Sequence, residues 1–250
     1  MRTCRFRHGV DERWGVLEGE AVRALTAEPW AGGLPGGRPI PLAEVVLLAP
    51  VQPTKVVCVG RNYLAHAKEL GNEVPKEPLI FLKPSTAVVG PQEAIVCPPQ
   101  SKDVQHEAEL GVVLGRALTK ASAAEAKAAV LGWTCLNDVT ARDIQREEKQ
   151  FTRAKGFDTF CPVGPVIETN LDPLDLTVNG RVNGVERQRG YTRDMAFDPY
   201  AILSYISHVM TLLPGDLVAT GTPEGVGRLQ RGDWVEVEIP GIGLLRNPVT

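Results

Sequence analysis

Glu107 and Glu109 stand two positions apart in Gln105-His106-Glu107-Ala108-Glu109-Leu110-Gly111-Val112-Val113-Leu114, at the mouth of an apolar segment. In a strand, side chains alternate faces, so both carboxylates point the same way. On a helix they would lie roughly 200° apart and could not share a ligand. The β-branched residues that follow favour the strand. Two parallel carboxylates repel unless a cation sits between them, and Mg²⁺ or Mn²⁺ would supply that charge through oxygen coordination. The alternative is an exposed edge strand with two solvated glutamates. A second pair is His66 and Glu69, three residues apart and on one face if residues 63–70 are helical. A carboxylate that orients an imidazole and stabilises its charged form makes a general base for water or for a substrate carbon acid. A solvated surface pair is the competing reading. In the stretch Thr220 to Gly227, glycines such as Gly221 let backbone N–H groups and the Thr222 hydroxyl approach a carboxylate. An ordinary glycine-rich strand connection would look the same. It is not a nucleotide loop, because no Walker lysine and no GxGxxG context accompany it. Arg61 is assigned to a distal substrate carboxylate, with a structural ion pair as its other use.

These groups need a scaffold, and 250 residues suffice for one large domain or a main domain with a small appendage. Hydrophobic and charged shares of 43% and 23% are those of an ordinary globular protein. With 27 basic and 30 acidic residues, the charge offers no reason to expect nucleic acid or an anionic membrane as partner. No apolar run approaches 18 residues, and nothing reads as a signal peptide, so the chain is expected in the cytoplasm. Cys4, Cys58, Cys97, Cys135 and Cys161 are odd in number and lie in apolar surroundings. They read as reduced core thiols, not as a disulfide framework or a zinc cluster.

The first fifty residues differ in texture from the rest. Short alternating segments, Arg2 to Arg7 and Trp14 to Leu25, flank a turn at Gly9, and Ala31 to Pro41 is crowded with Gly and Pro. We expect a small β-rich N-terminal domain and linker over 1–50 and a catalytic domain over 51–250. From Lys55 the chain reads as strands broken by few helices, an α+β, mostly β class. Asn62 is expected to cap a helix from Tyr63 to Leu70, and Ser122 with Glu125 forms a capping box for Ala123 to Val130. A strand over Gly132 to Leu136 leads to Asn137-Asp138, after which Val139 to Gln150 is expected to be a charged helix. The remainder is expected to be β, with hairpin turns at Asn183-Gly184 and Pro240-Gly241. The polar segment from Asn62 to Pro78 has the composition of a movable cover. His106 would face away from Glu107 and is given a supporting or core role. His8 and His208 are read as structural.

Gly60-Arg61-Asn62-Tyr63, Phe81-Leu82-Lys83-Pro84-Ser85, His106-Glu107-Ala108-Glu109-Leu110, Asn137-Asp138-Val139-Thr140-Ala141-Arg142-Asp143 and Thr220-Gly221-Thr222-Pro223-Glu224-Gly225-Val226-Gly227 together resemble the ordered signature of the fumarylacetoacetate hydrolase family. The resemblance covers roughly residues 54 to 250. It implies a catalytic domain of several β-sheet layers, a divalent metal site, a homodimer, and chemistry on 2-oxo acids or their enols. It also implies that Asp138 joins Glu107 and Glu109 as third ligand; on its own, Asp138 would read as a helix N-cap. Three carboxylates would leave about half of an octahedral shell for water and a chelating 2-oxo acid. By the same resemblance Lys155 and Gln145 contact the substrate, and the His66–Glu69 pair matches the dyad of hydrolytic members. Fold alone does not select among the family's reactions. The leading expectation is a 2-hydroxyhepta-2,4-diene-1,7-dioate isomerase-like activity on a 2-oxo acid or dicarboxylate. The alternatives are an acylpyruvate hydrolase and an oxaloacetate decarboxylase. A catalytically silent small-molecule binding protein is disfavoured, because ligands and base are all present.

Overall fold

Short apolar strands separated by tight turns bury their faces only by stacking in layers. The structure, a computed structural model that describes all residues except 70, 72 and 74, has this form. The N-terminal strands are β1 (Arg2–His8), β2 (Asp11–Glu18), β3 (Ala21–Ala24), β4 (Ile40–Pro41) and β5 (Val46–Leu48). Next come β6 (Val56–Gly60), α1 (Leu64–Glu69), β7 (Leu79–Lys83), β8 (Val88–Val89), β9 (Val104–His106) and β10 (Ala108–Leu114). The middle forms α2 (Ala123–Ala129), β11 (Val130–Asn137), β12 (Thr140–Ala141), α3 (Arg142–Glu147), α4 (Thr152–Lys155) and β13 (Cys161–Glu168). The last third forms β14 (Thr177–Val182), β15 (Val185–Tyr191), α5 (Pro199–Val209), β16 (Leu217–Ala219), β17 (Gly227–Arg228), β18 (Trp234–Ile239) and β19 (Gly243–Pro248).

The main sheet runs β4-β3-β2-β1-β13-β11-β10-β16-β6-β7, with β5 on β1 and β8 on β13. A three-stranded sheet, β12-β9-β17, and a four-stranded sheet, β15-β14-β18-β19, complete the mostly β, α+β fold. Strand β10 lies inside the main sheet, and all seven of its residues are buried. Alternation sends Ala108, Leu110, Val112 and Leu114 into a core shared with α2, α5 and the four-stranded sheet. Val113 packs into a second core on the other face, with Val56, Leu136 and Leu217. Burial of Leu110, Val112 and Leu114 contributes roughly 1.5–3 kcal/mol each. That offsets the cost of burying Glu109, on the Val113 side of the strand.

The first fifty residues are continuous with this sheet. Arg2 and Thr3 of β1 pair with Glu168 and Ile167 of β13, and Cys4, Phe6 and Val22 join the core that holds Leu110. The Ser122–Glu125 capping box is present, with α2 spanning Ala123–Ala129. Asn183 and Gly184 both take positive φ, 54° and 76°, as a two-residue hairpin turn between β14 and β15 requires.

Several expectations are corrected. Asn62 does not cap α1: its side chain bonds the backbone of Phe197 and the carbonyl of Thr220, tying the helix entry to distant loops. Leu70, the expected helix end, lies outside the described residues, as do 72 and 74 of the expected cover. The charged helix over Val139 to Gln150 is shorter, because Thr140 and Ala141 pair with Gln105 and Val104. Only Arg142–Glu147 is helical there, and Glu148 is extended at φ −105°, ψ 139°. Helix α5 lies where only strands were expected. Asp198 accepts from the amides of Tyr200 and Ala201, Pro199 opens the first turn, and Ile202, Leu203 and Ile206 form the buried stripe. Cys97 is half-buried, whereas the other four cysteines are buried.

Candidate active site

Glu107 does not share one continuous strand with Glu109. The chain passes at Glu107 from β9, in the three-stranded sheet, to β10, in the main sheet. The Glu107 amide donates to Asn137 Oδ1 (2.9 Å), and its carbonyl accepts from the Asp138 amide (2.9 Å). With Ala108 opposite Asn137 in the β10–β11 register, the chain brings residues 107, 109 and 138 to one corner. Oxygens of Glu107, Glu109 and Asp138 lie within 4.8 Å of one another, and all three residues are buried.

Cations crowd two of the three. Lys155 Nζ donates to Glu107 Oε2 (2.8 Å) and Asp138 Oδ2 (2.6 Å) and stands 5.0 Å over the Phe81 ring. Lys83 Nζ, with no side-chain exposure, donates to Asp138 Oδ1 (2.6 Å) and the Val139 carbonyl (3.1 Å). Arg142 donates to Glu107 Oε1, Gln105 Oε1 (2.9 Å) and Gln145 Oε1 (2.6 Å). Burial opposes ionisation of Glu107, but Lys155 and Arg142 outweigh it and hold that carboxyl well below the usual range. Burial likewise disfavours the Lys155 cation, yet Asp138 and Glu107 overcome it and raise its pKa. Glu109 receives a hydrogen bond from the Gly221 amide (2.7 Å). Burial first, then the charges of Asp138 and Glu107, push its carboxyl well above the usual range. The set therefore wants one more positive charge beside Glu109, and its donors there are oxygens. A hard divalent cation fits that chemistry.

The triad opens into a cavity of about 350 Å³ lined by Arg61, His66, Arg142, Gln145, Arg146, Lys155 and Thr222, with Val59, Phe81 and Phe151 as apolar walls. His66 is 5% exposed, and its Nδ1 faces Glu69 Oε2 at 3.1 Å. The other Glu69 oxygen accepts from the Gly225 amide (3.0 Å), so the glycine-rich loop fixes the carboxylate that fixes the imidazole. Gly221 takes φ 100°, and a Cβ there would stand 2.7 Å from the Asn62 Cβ, so only glycine brings this amide to Glu109. The Thr222 hydroxyl donates to the Ala108 carbonyl (2.8 Å) and accepts from Gln188 (2.7 Å), which makes it a backbone latch as well as a lining group. Arg61 takes a left-handed φ of 59° at the cavity wall. His106 is buried, its Nδ1 2.9 Å from Gln188 Oε1. Burial lowers its pKa, only partly countered by that hydrogen bond. Every residue assigned from sequence thus lines the cavity or bonds to a group that does.

Sequence reasoning gave no role to Lys83, Arg142, Asn137 or Gln188. Lys83 had two signals, its place in the family-like run Phe81–Ser85 and its position as a lysine ending the otherwise apolar strand Leu79–Lys83. Gln188 had none, since its partners are 34 to 82 positions away.

Residues 55–250 match the family described as Fumarylacetoacetate (FAA) hydrolase C-terminal, and residues 1–50 match that described as Rv2993c-like, N-terminal. Human oxaloacetate tautomerase FAHD2A, mitochondrial, is 43% identical over 245 residues, covering 93% of this chain and 77% of that protein. Protein Rv2993c of Mycobacterium tuberculosis is 48% identical over 243 residues, covering 96% and 92%. The crystal structure of 2-hydroxyhepta-2,4-diene-1,7-dioate isomerase from Mycobacterium marinum superposes with a TM-score of 0.93 at 46% identity, covering 100% of this chain and 98% of that one. The acidic corner, the cavity beside it and these matches have one reading: the chain is an enzyme of the fumarylacetoacetate hydrolase family.

Proposed function

We propose that this enzyme moves a proton along a 2-oxo dicarboxylic acid, interconverting keto and enol forms or conjugated isomers, with a divalent metal held by Glu107, Glu109 and Asp138. The observation that carries the reading is His66, buried in the wall of the cavity that holds the triad, with its Nδ1 held by the more exposed Glu69. Two of the similar proteins are named a tautomerase and an isomerase, names that denote this kind of proton transfer. When bound, Mg²⁺ or Mn²⁺ supplies Lewis-acid stabilisation of negative charge arriving on the substrate's 2-oxo oxygen.

The chain's own residues do the rest. Glu69 holds Nδ1 of His66, which leaves Nε2 to accept the proton from the substrate carbon next to the keto group. The C–H electron pair moves into the conjugated system. The same nitrogen returns the proton to oxygen in a tautomerisation, or further along the chain in an isomerisation. Lys155 spends two N–H donors on Glu107 and Asp138 and offers its third to a substrate oxygen. Arg61 takes the distal carboxylate, Gln145 and Thr222 line the same cavity, and Gly221 acts through its amide bond to Glu109. The left-handed conformation of Arg61 costs roughly 1–3 kcal/mol. Phe81 and Phe151 limit water at the reacting carbon.

Carbon–carbon hydrolysis of an acylpyruvate is the second reading, favoured by the same dyad, since His66 could instead deprotonate water. Metal-assisted decarboxylation of oxaloacetate is a third outcome. The free cysteines accord with a cytoplasmic enzyme. Among the described residues no helix is long and apolar enough to cross a membrane. The homodimer that the family resemblance implies belongs to the same proposal. The deciding experiment is a substrate panel with added Mg²⁺ or Mn²⁺: oxaloacetate tautomerisation, dienedioate isomerisation, acylpyruvate cleavage and CO₂ release are measured side by side. Fast cleavage with negligible proton transfer would replace the first reading by the second.

A further inference from the structure

Gln188 lies on β15 in the four-stranded sheet, is fully buried, and uses every hydrogen-bonding position of its side-chain amide. Oε1 accepts from the Ala108 amide (2.9 Å) and faces His106 Nδ1 (2.9 Å), while Nε2 donates to Thr222 Oγ1 (2.7 Å) and the Pro223 carbonyl (2.8 Å). The orientation of this amide is unambiguous. A backbone N–H must meet its oxygen and a backbone carbonyl its nitrogen, so His106 must carry its proton on Nδ1. Thr222 then donates to the Ala108 carbonyl (2.8 Å), which closes a ring: Ala108 amide, Gln188, Thr222 hydroxyl, Ala108 carbonyl.

Ala108 is the residue between Glu107 and Glu109. Its N–H and C=O are both held by this ring, at the place where the chain changes sheets. The loop on the other side of the ring carries the Gly221 amide that bonds Glu109 and the Gly225 amide that bonds Glu69. Room for the ring is made by glycine. A Cβ at Gly180, opposite Gln188 in the β14–β15 register, would stand 3.0 Å from Gln188 Oε1 and 3.2 Å from the Ala108 Cβ. A Cβ at Gly225 would stand 1.9 Å from the Arg187 carbonyl, so the loop lies directly on β15.

We infer that Gln188 is a positioning residue: through the ring with Ala108 and Thr222 it sets the spacing of the Glu107 and Glu109 carboxylates and their register to the Gly221–Gly225 loop. It touches neither substrate nor ligand oxygens. The inference rests on the proposed metal role of the triad for one of its two readouts and stands apart from it in the other. Residues that orient ligand-bearing groups typically change metal affinity 10- to 100-fold when altered.

The test compares wild type, Gln188→Met, Thr222→Val, the double variant and Thr222→Ser. Mn²⁺ affinity is read by calorimetry, and amide exchange at Ala108 is read in metal-free protein. Gln188→Met keeps the side-chain length without the hydrogen bonds, and Thr222→Val keeps the shape without the hydroxyl. Each is expected to weaken Mn²⁺ about 10- to 100-fold and to speed Ala108 exchange, with slow exchange retained at Val112 as the sign of a folded sheet. Because the ring is one unit, the double variant is expected to lose no more than the worse single one. Thr222→Ser is expected to restore both readouts, including when Gln188→Met fails to fold. Unchanged Ala108 exchange and unchanged affinity in folded variants overturn the inference. Wild type that binds no Mn²⁺ overturns the metal reading of the triad, while Ala108 exchange still decides whether Gln188 clamps the backbone.

Discussion

Replacing Lys83 by Met tests whether the acidic corner is held together by buried counter-charge. The methionine fills most of the lysine's volume but removes an ammonium whose side chain has no exposure. Asp138 Oδ1 and the Val139 carbonyl lose their donor. Removing one partner of a buried ion pair costs about 3–5 kcal/mol. Asp138 keeps Lys155 on its other oxygen, which places the cost near the lower end, about 3 kcal/mol. At roughly 2–4 °C per kcal/mol for a chain of this size, the melting temperature in EDTA is expected to fall by about 6–12 °C. The assay is thermal unfolding followed by circular dichroism, with urea titration as the isothermal check. Saturating Mg²⁺ is expected to narrow the gap, because a bound dication supplies the missing charge. Arg193→Ala is the control: its pair with Asp175 has side chains 54% and 69% exposed, and such pairs contribute little. A Lys83→Met protein that melts within about 2 °C of wild type in EDTA (under 1 kcal/mol by the same conversion) would refute the argument that Asp138 depends on this ammonium.

His66→Ala is expected to lower kcat for tautomerisation, isomerisation or acylpyruvate cleavage by about 10² to 10⁴, while metal-assisted CO₂ loss from oxaloacetate persists; equal losses in both would reduce His66 to shaping the cavity. Arg61→Ala is expected to raise KM for dicarboxylates much more than for 2-oxo monocarboxylates, and a uniform change would remove its assignment to the distal carboxylate. The raised Glu109 pKa has a definite sign: the metal-free folded chain keeps a proton that the unfolded chain releases above about pH 4.3, so its stability falls as pH rises from there toward the folded value. Binding of Mn²⁺ then expels that proton, and calorimetry in buffers of different ionisation enthalpy should show proton release and tighter binding at higher pH. Affinity independent of pH and buffer would contradict the protonated Glu109.

The sequence by itself determined what depends on residues a few positions apart. The capping box at Ser122–Glu125 and the Asn183–Gly184 turn are read from local chemistry, and the pairing of His66 with Glu69 from spacing, whereas Glu107 and Glu109 meet although the strand that was to pair them is broken between sheets. Helix α5 was also legible, through Asp198-Pro199 and the stripe Ile202, Leu203, Ile206, but strand-like texture around it obscured that signal. Tertiary structure decided everything that joins distant segments. Lys83 meets Asp138 across 55 positions and Gly221 meets Glu109 across 112. At Glu107 the chain passes from one sheet to another, and Asn62 is a cross-link instead of a helix cap because its side chain is bonded to Phe197 and Thr220. Continuity of the first fifty residues with the main sheet likewise rests on β1 finding β13. A local pattern records which groups are available to a site. Which charge neutralises which, and which amide holds which carboxylate, follows from strand order and register, and those are set by burial of the whole core.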